Sequence, residues 1–258
     1  MIEVRGLRKA YGGRSVLRGV DLRIPKGQLT ALIGPNGAGK STLLMAMARL
    51  LEPTSGEILI DERPVVDIRR TAYARLVATL RQSPDFHLRL TVEELVAFGR
   101  FPHSQGALTA ADRQAVDEAL RFLTLEPLRQ RPLNELSGGQ RQMAFLAMAI
   151  AQQTDYLLLD EPLNNLDIRH AVQIMRALRR LCDMQGRTVV LVVHDINFAA
   201  SHADHIVAMK DGAIHADGPV DAVITTPVLR ALYGLDIAVV QGPGGRLCNY
   251  FNPPGELT

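Results

Sequence analysis

Gly34-Pro35-Asn36-Gly37-Ala38-Gly39-Lys40-Ser41, followed by Thr42, stands between two apolar runs, Leu29 to Ile33 and Leu43 to Leu51. The string has the form G-x-x-x-x-G-K-[S/T], and an order of strand, glycine loop and helix is the context that gives it meaning. The glycines let the backbone turn tightly, so that N–H groups converge on phosphate oxygens. The amino end of the following helix adds partial positive charge at the same point. Lys40 is a mobile cation that reaches outer phosphates. Ser41 supplies a hard oxygen for Mg²⁺, and Thr42 is placed to meet the innermost phosphate. Gly34 through Thr42 are therefore candidate nucleotide-binding residues on an α/β core.

Working outward, Ile2 to Arg5, Val20 to Ile24, Glu57 to Ile60 and Val77 to Leu80 read as further strands, cut by Gly and Pro. Leu43 to Leu51 is apolar on nearly every face, which predicts a helix buried all round. From Ser83 to about Gln153 the pattern turns helical. Thr91 with Glu94 and Thr109 with Asp112 form capping boxes, and Ala115, Val116, Ala119, Leu120 and Leu123 recur at helical spacing. Strands return at Tyr156 to Leu159 and Val189 to Val193, as continuous runs suited to central parallel strands. Ile168 to Cys182 is helical behind Asp167, a natural N-cap. His205 to Met209 and Ala213 to Ala216 make a hairpin around Asp211-Gly212. The tail after Gln241 holds three Pro and four Gly and reads as irregular.

The 258 residues, 47% of them apolar, suffice for one α/β domain or two small ones. Lys and Arg number 29 against 27 Asp and Glu, a net charge of +2. That balance is no footprint of nucleic-acid binding. Cys182 and Cys248 lie in no metal-ligand or CxxC spacing and read as reduced thiols of a cytosolic protein. The start of the chain has no signal-peptide pattern. No stretch approaches the roughly 18 apolar residues of a membrane span. The expectation is a soluble protein unless something holds it at a membrane.

Leu157-Leu158-Leu159-Asp160-Glu161 is an apolar strand ending in two acids, where α/β proteins bind ligands. Asp160 is a candidate Mg²⁺ holder. Glu161 is a candidate base that orients or deprotonates an attacking water. A lone Asp-Glu is often just a solvated strand end, but a phosphate cradle in the same chain gives the pair chemical work.

Leu136-Ser137-Gly138-Gly139-Gln140 is the second informative string. S-x-x-Q alone is a capping box. Two adjacent glycines cost backbone entropy and strip away side chains where something approaches closely. A Gly-rich helix start is also an anion site. The string is identical to the signature of the ABC ATPase family, and the chain resembles that family from about Ile2 to Asp236. The resemblance implies a P-loop (RecA-like) core with an N-terminal antiparallel β region and an inserted α-helical subdomain. One domain would span 1–258, with the core at about 1–82 and 154–240, the helical subdomain at about 83–153 and the tail at 241–258.

It also implies roles residue by residue. Tyr11 stacks on adenine. Gln82 senses Mg²⁺ and the γ-phosphate, although it lacks the Pro immediately before it that many relatives carry. Asp167, in Asn164-Asn165-Leu166-Asp167, belongs to the D-loop. His194 is the switch histidine. Two subunits pair head-to-tail, so that Ser137, Gly138, Gly139 and Gln140 of one close over the ATP and Mg²⁺ held by the other. The segment Leu90 to His103 is similar to the ferric-siderophore, haem and cobalamin importer branch. Asp160 to Asp167, His194 to Asn197 and Val207 to Gly212 are closest in style to the siderophore members. That likeness implies a homodimeric motor on the cytoplasmic face of the plasma membrane. Its helical subdomain and Gln82 region would meet a multi-span permease, and the substrate, bound by that permease and an extracytoplasmic siderophore-binding protein, would never touch this subunit. The alternatives are the same motor for haem, cobalamin or another metal chelate, or a soluble ABC ATPase without a transport role. Soluble members usually carry two cassettes or a long coiled coil, and this chain has one cassette and no sustained heptads.

Overall fold

The computed structural model describes residues 1–81, 90–242 and 245–251. β1 (Ile2–Tyr11) and β2 (Arg14–Ile24) form an antiparallel ribbon longer than the short strands expected. The turn between them is Gly12-Gly13, at φ of 51° and 84°, the left-handed pair that a two-residue hairpin favours. β3 (Leu29–Ile33) then runs into α1 (Lys40–Met47). The helix stops four residues short of the expected Leu51. Arg49 turns left-handed and Leu50 emerges half-exposed, so apolar content alone overstates its length. β4 (Ser55–Ile60) and β5 (Arg63–Pro64) complete a four-stranded sheet in the order β2-β1-β4-β5.

α2 (Arg70–Leu76), a helix with no sequence forewarning, leads into β6 (Val77–Leu80). The helical subdomain follows as α3 (Val92–Phe98), α4 (Phe101–Ser104), α5 (Ala110–Phe122) and α6 (Gly138–Ala151). Both expected capping boxes, at Thr91 and Thr109, are formed. Arg100 and Asp112 sit buried in this subdomain with their charged groups 2.9 Å apart.

β7 (Tyr156–Leu159), α7 (Ile168–Gln185), β8 (Thr188–Val192), α8 (Ile196–His202), β9 (His205–Lys210) and β10 (Ala213–Pro219) complete the second sheet. Its order is β10-β9-β3-β8-β7-β6, parallel throughout except for the antiparallel edge strand β10. Every residue of β3, β7 and β8 is buried. Leu157 and Leu159 face a core shared with α6 and α7, while Tyr156 and Leu158 face a second core shared with α1 and the antiparallel sheet. A strand clothed on both sides reads as an unbroken apolar run.

α9 (Val220–Val223) and α10 (Thr226–Tyr233) follow β10. The tail expected to be irregular is, as far as Asn249, a hairpin of β11 (Ala238–Gly242) and β12 (Gly245–Asn249). The Asn197 amide holds it to α8, donating to the Cys248 carbonyl (3.2 Å) and accepting from the Cys248 N–H (2.7 Å). Glycine and proline density masks this segment in sequence, because its pairing is rewarded by a distant side chain.

Candidate active site

The glycine loop leaves β3 at Gly34 and enters α1 through Gly39, the N-cap, with φ of 140° and 99°. Both glycines are required by close approach as well as by φ. A Cβ on Gly34 would collide with the Met209 carbonyl, and one on Gly39 would lie 2.9 Å from Leu17 and 3.1 Å from the Val16 carbonyl. Gly37 (φ 79°) faces open space. The loop is braced by Ala38 donating to the Pro35 carbonyl at 3.2 Å and by Gly212 donating to the Ala38 carbonyl at 3.1 Å. Asn36 is exposed at its rim and Thr42 half-buried in the first turn of α1.

Lys40 is 5% exposed, and its Nζ donates to the carbonyls of Gly34 (2.7 Å) and Pro35 (2.9 Å), across the mouth of its own loop. Burial pushes its ammonium below the usual lysine range, opposed by the charges of Glu161 and Asp160. A cation made costly by burial gains most from an anion brought beside it.

The end of β7 delivers the two acids next to this lysine. Ser41 Oγ donates to Asp160 Oδ1 at 2.8 Å. Burial pushes the Asp160 carboxyl up, Ser41 pulls it down, and the charge of Glu161 raises it again. Glu161 stands at φ 51°, an uncommon conformation for a side-chain-bearing residue that marks functional turns. One of its carboxylate oxygens lies 2.7 Å from His194 Nε2, and the other accepts from Asn164 Nδ2 at 3.1 Å. His194 follows β8, the strand hydrogen-bonded between β3 and β7. The cradle, the acids and the histidine therefore leave the carboxyl ends of three adjacent strands.

The remaining candidates sit as follows. Tyr11 ends β1 at the hairpin tip, half-exposed, with Lys9 Nζ 5.1 Å from its ring centroid. Gln82 lies outside the described residues. Ser137 caps α6 by a reciprocal pair of bonds with Gln140 (3.1 and 3.3 Å). Asp167 caps α7 through the His170 N–H at 2.8 Å.

The two signature glycines differ. Gly138 is exposed, and a Cβ there would meet nothing. Gly139 is buried, and a Cβ there would fall 2.5 Å from His170 Nδ1. The close approach expected of the pair is thus, at Gly139, made by this chain's own histidine. Sequence reading passed over His170; its signal was a histidine in the first turn of a helix capped by Asp167. Asn164, quoted only as part of a string, was likewise given no role.

The ABC transporter family model matches residues 17–164, more than half of the chain. This chain belongs to the ABC transporter family. It is similar to the petrobactin import ATP-binding protein YclP of Bacillus subtilis, 47% identical over 98% of this chain and 100% of that protein. It is also similar to the petrobactin import ATP-binding protein FatE of Bacillus anthracis, 45% identical over 97% of this chain and 100% of that protein. Among solved structures, the dimeric bacterial ABC transporter cassette MJ0796 superposes with a TM-score of 0.76 at 31% identity, covering 85% of this chain and 99% of that one. The chain is an ATP-binding, ATP-hydrolysing ABC subunit. Such subunits dimerise and work peripherally on a membrane permease. No helix among the described residues is long and apolar enough to cross a membrane.

Proposed function

We propose that this ABC subunit drives uptake of a ferric siderophore. The observation that carries the substrate class is its end-to-end likeness to the two petrobactin import proteins. In this reading, the cradle Gly34–Thr42 holds the triphosphate, Tyr11 meets the adenine, and Glu161 accepts a proton from the attacking water. The water oxygen bonds to the γ-phosphorus as the bond to the β–γ bridging oxygen breaks, leaving ADP and phosphate. His194 steadies the Glu161 carboxylate and shares the proton. Ser41 and Asp160 offer the hard oxygen donors that suit Mg²⁺, with Gln82 as a further candidate. The ion supplies charge neutralisation on the phosphate oxygens.

Ser137 to Gln140 and Asp167 of one copy complete the site on the partner, on the cytoplasmic face of the membrane. One cradle covers only one side of a triphosphate, and a second helix start supplies donors for the other. The permease meets the helical subdomain and the Gln82 region, together with a groove of about 860 Å³ between α1, α2 and β6, lined by Arg49, Leu50, Val66, Tyr73, Val77 and Gln152. Val66 (77% exposed) and Leu50 (54%) present apolar surface there. β6, which ends two residues before Gln82, forms part of its wall.

The test is growth of a strain lacking this subunit on one iron source at a time. The expected result is loss of growth on a ferric siderophore, with haem and cobalamin use intact. Growth on every ferric siderophore would sink the proposal.

A further inference from the structure

His170 joins the two elements that this chain presents to its partner's nucleotide. Its Nδ1 lies 2.8 and 2.9 Å from the two carboxylate oxygens of Asp167. Both neighbours are acceptors, so Nδ1 carries the proton and donates. The imidazole fills the space that the absent side chain of Gly139 leaves open. The Asp167 carboxyl is held below the usual aspartate range by the backbone N–H and ring of His170. Gly139 sits inside the Ser137–Gln140 capping box, and Asp167 caps α7. Backbone of one helix start, imidazole, and carboxylate of the other therefore form one unbroken contact.

We propose that His170 is a positioning residue that locks the Asp167 loop to the signature turn, so that both meet the partner's nucleotide as one rigid piece. The proposal rests on the head-to-tail dimer of the preceding section. Its physical content is preorganisation. Two loops held in register lose less freedom on closing over ATP than two loops that must be ordered separately. The lock lies outside the cradle, so it acts on closure and not on the first capture of nucleotide.

The experiment uses the full chain carrying Glu161→Gln, with ATP and Mg²⁺. Two quantities are read: nucleotide affinity at protein concentrations too low for dimer, and the protein concentration at which half is dimeric by analytical ultracentrifugation. Adding His170→Ala is expected to raise the second at least roughly fivefold, a coupling of about 1 kcal/mol, and to leave the first within about twofold. His170→Asn, whose side-chain amide can donate in place of Nδ1, is expected to restore the parent value. Gly139→Ala, which pushes the imidazole aside, is expected to reproduce the His170→Ala shift, and the two together to add little. A His170→Ala protein that dimerises like its parent overturns the proposal. So does an Asn variant as defective as Ala, because the role would then be packing alone. If the parent itself stays monomeric with ATP, the sandwich reading has failed and the lock falls with it.

Discussion

His194 Nε2 and Glu161 Oε1 stand 2.7 Å apart, linking the exits of the neighbouring strands β8 and β7. Glu161 reaches this position by adopting a left-handed backbone conformation, so the chain turns sharply at the residue proposed as the base. The pair is set apart from Asp160, whose carboxylate is engaged by Ser41. Two consecutive acids thus have different partners and are suited to different tasks.

Glu161→Gln should keep ATP binding and lower steady-state hydrolysis by about 10²–10⁴-fold, the usual worth of a general base. Sizing with Mg-ATP should show a stable dimer. His194→Ala should lose activity on the same scale with unchanged nucleotide affinity, measured by fluorescent-nucleotide titration. Activity within about twofold of wild type in either variant would remove the pair from the chemistry.

Lys40→Ala removes a buried cation that faces the cradle carbonyls. Loss of a charge-assisted bond worth about 1.5–3 kcal/mol predicts roughly ten- to a hundredfold weaker ATP binding and no measurable turnover. Equilibrium binding and phosphate release are the readouts.

Ser137→Arg places a long cation at the mouth of an exposed helix start. It should abolish hydrolysis and spare nucleotide binding by the variant's own cradle. An equimolar mixture with wild-type protein should show intermediate turnover. Wild-type turnover in the pure variant would mean that Ser137 is only a helix cap.

Arg100→Met breaks a buried ion pair in which Arg100 also donates to the Ala151 carbonyl (2.8 Å) and Gln153 Oε1 (3.0 Å). Asp112 keeps its bonds from the Thr109 N–H and hydroxyl but loses its cationic partner, which should cost about 3 kcal/mol, read from urea unfolding. Because Arg100 ties α5 to the end of α6, the loss should appear first as faster amide exchange in those two helices.

Burial pushes the thiols of Cys182 and Cys248 up to about 11, against an ordinary 9.0. A folded-state value above the unfolded one means that the folded protein binds more protons between the two. Their stabilising contribution is therefore complete below about pH 9 and declines as pH rises toward 11. The urea midpoint should fall across that window more steeply in wild type than in a Cys182→Ala/Cys248→Ala protein. Both thiols should react with a thiol reagent at pH 8 only after denaturation.

What was legible in the sequence divides along a physical line. The cradle, the capping boxes at Thr91, Thr109 and Ser137, and the strand-end acids are local, because each works within a few residues of itself. β3, β7 and β8 were legible because burial on both faces leaves unbroken apolar runs. The contact of His170 with Gly139 was not, since it exists only once α6 and α7 have packed. The hairpin β11–β12 was hidden because its anchor, Asn197, lies some fifty residues upstream. α2 was hidden because Arg-Thr-Ala-Tyr-Ala-Arg-Leu shows no apolar period. Gln82, read by family order, lies outside the described residues.

The strand sequence β3-β8-β7 carries one more implication. Neighbouring strands sit at a pitch of about 4.8 Å, set by their hydrogen bonds, and these three are interior to a six-stranded sheet. The loops they emit are thereby spaced as on a ruler whose marks cannot slide without unzipping a ladder. Larger movements in the working cycle are therefore expected between packed layers, not between the roots of these three loops.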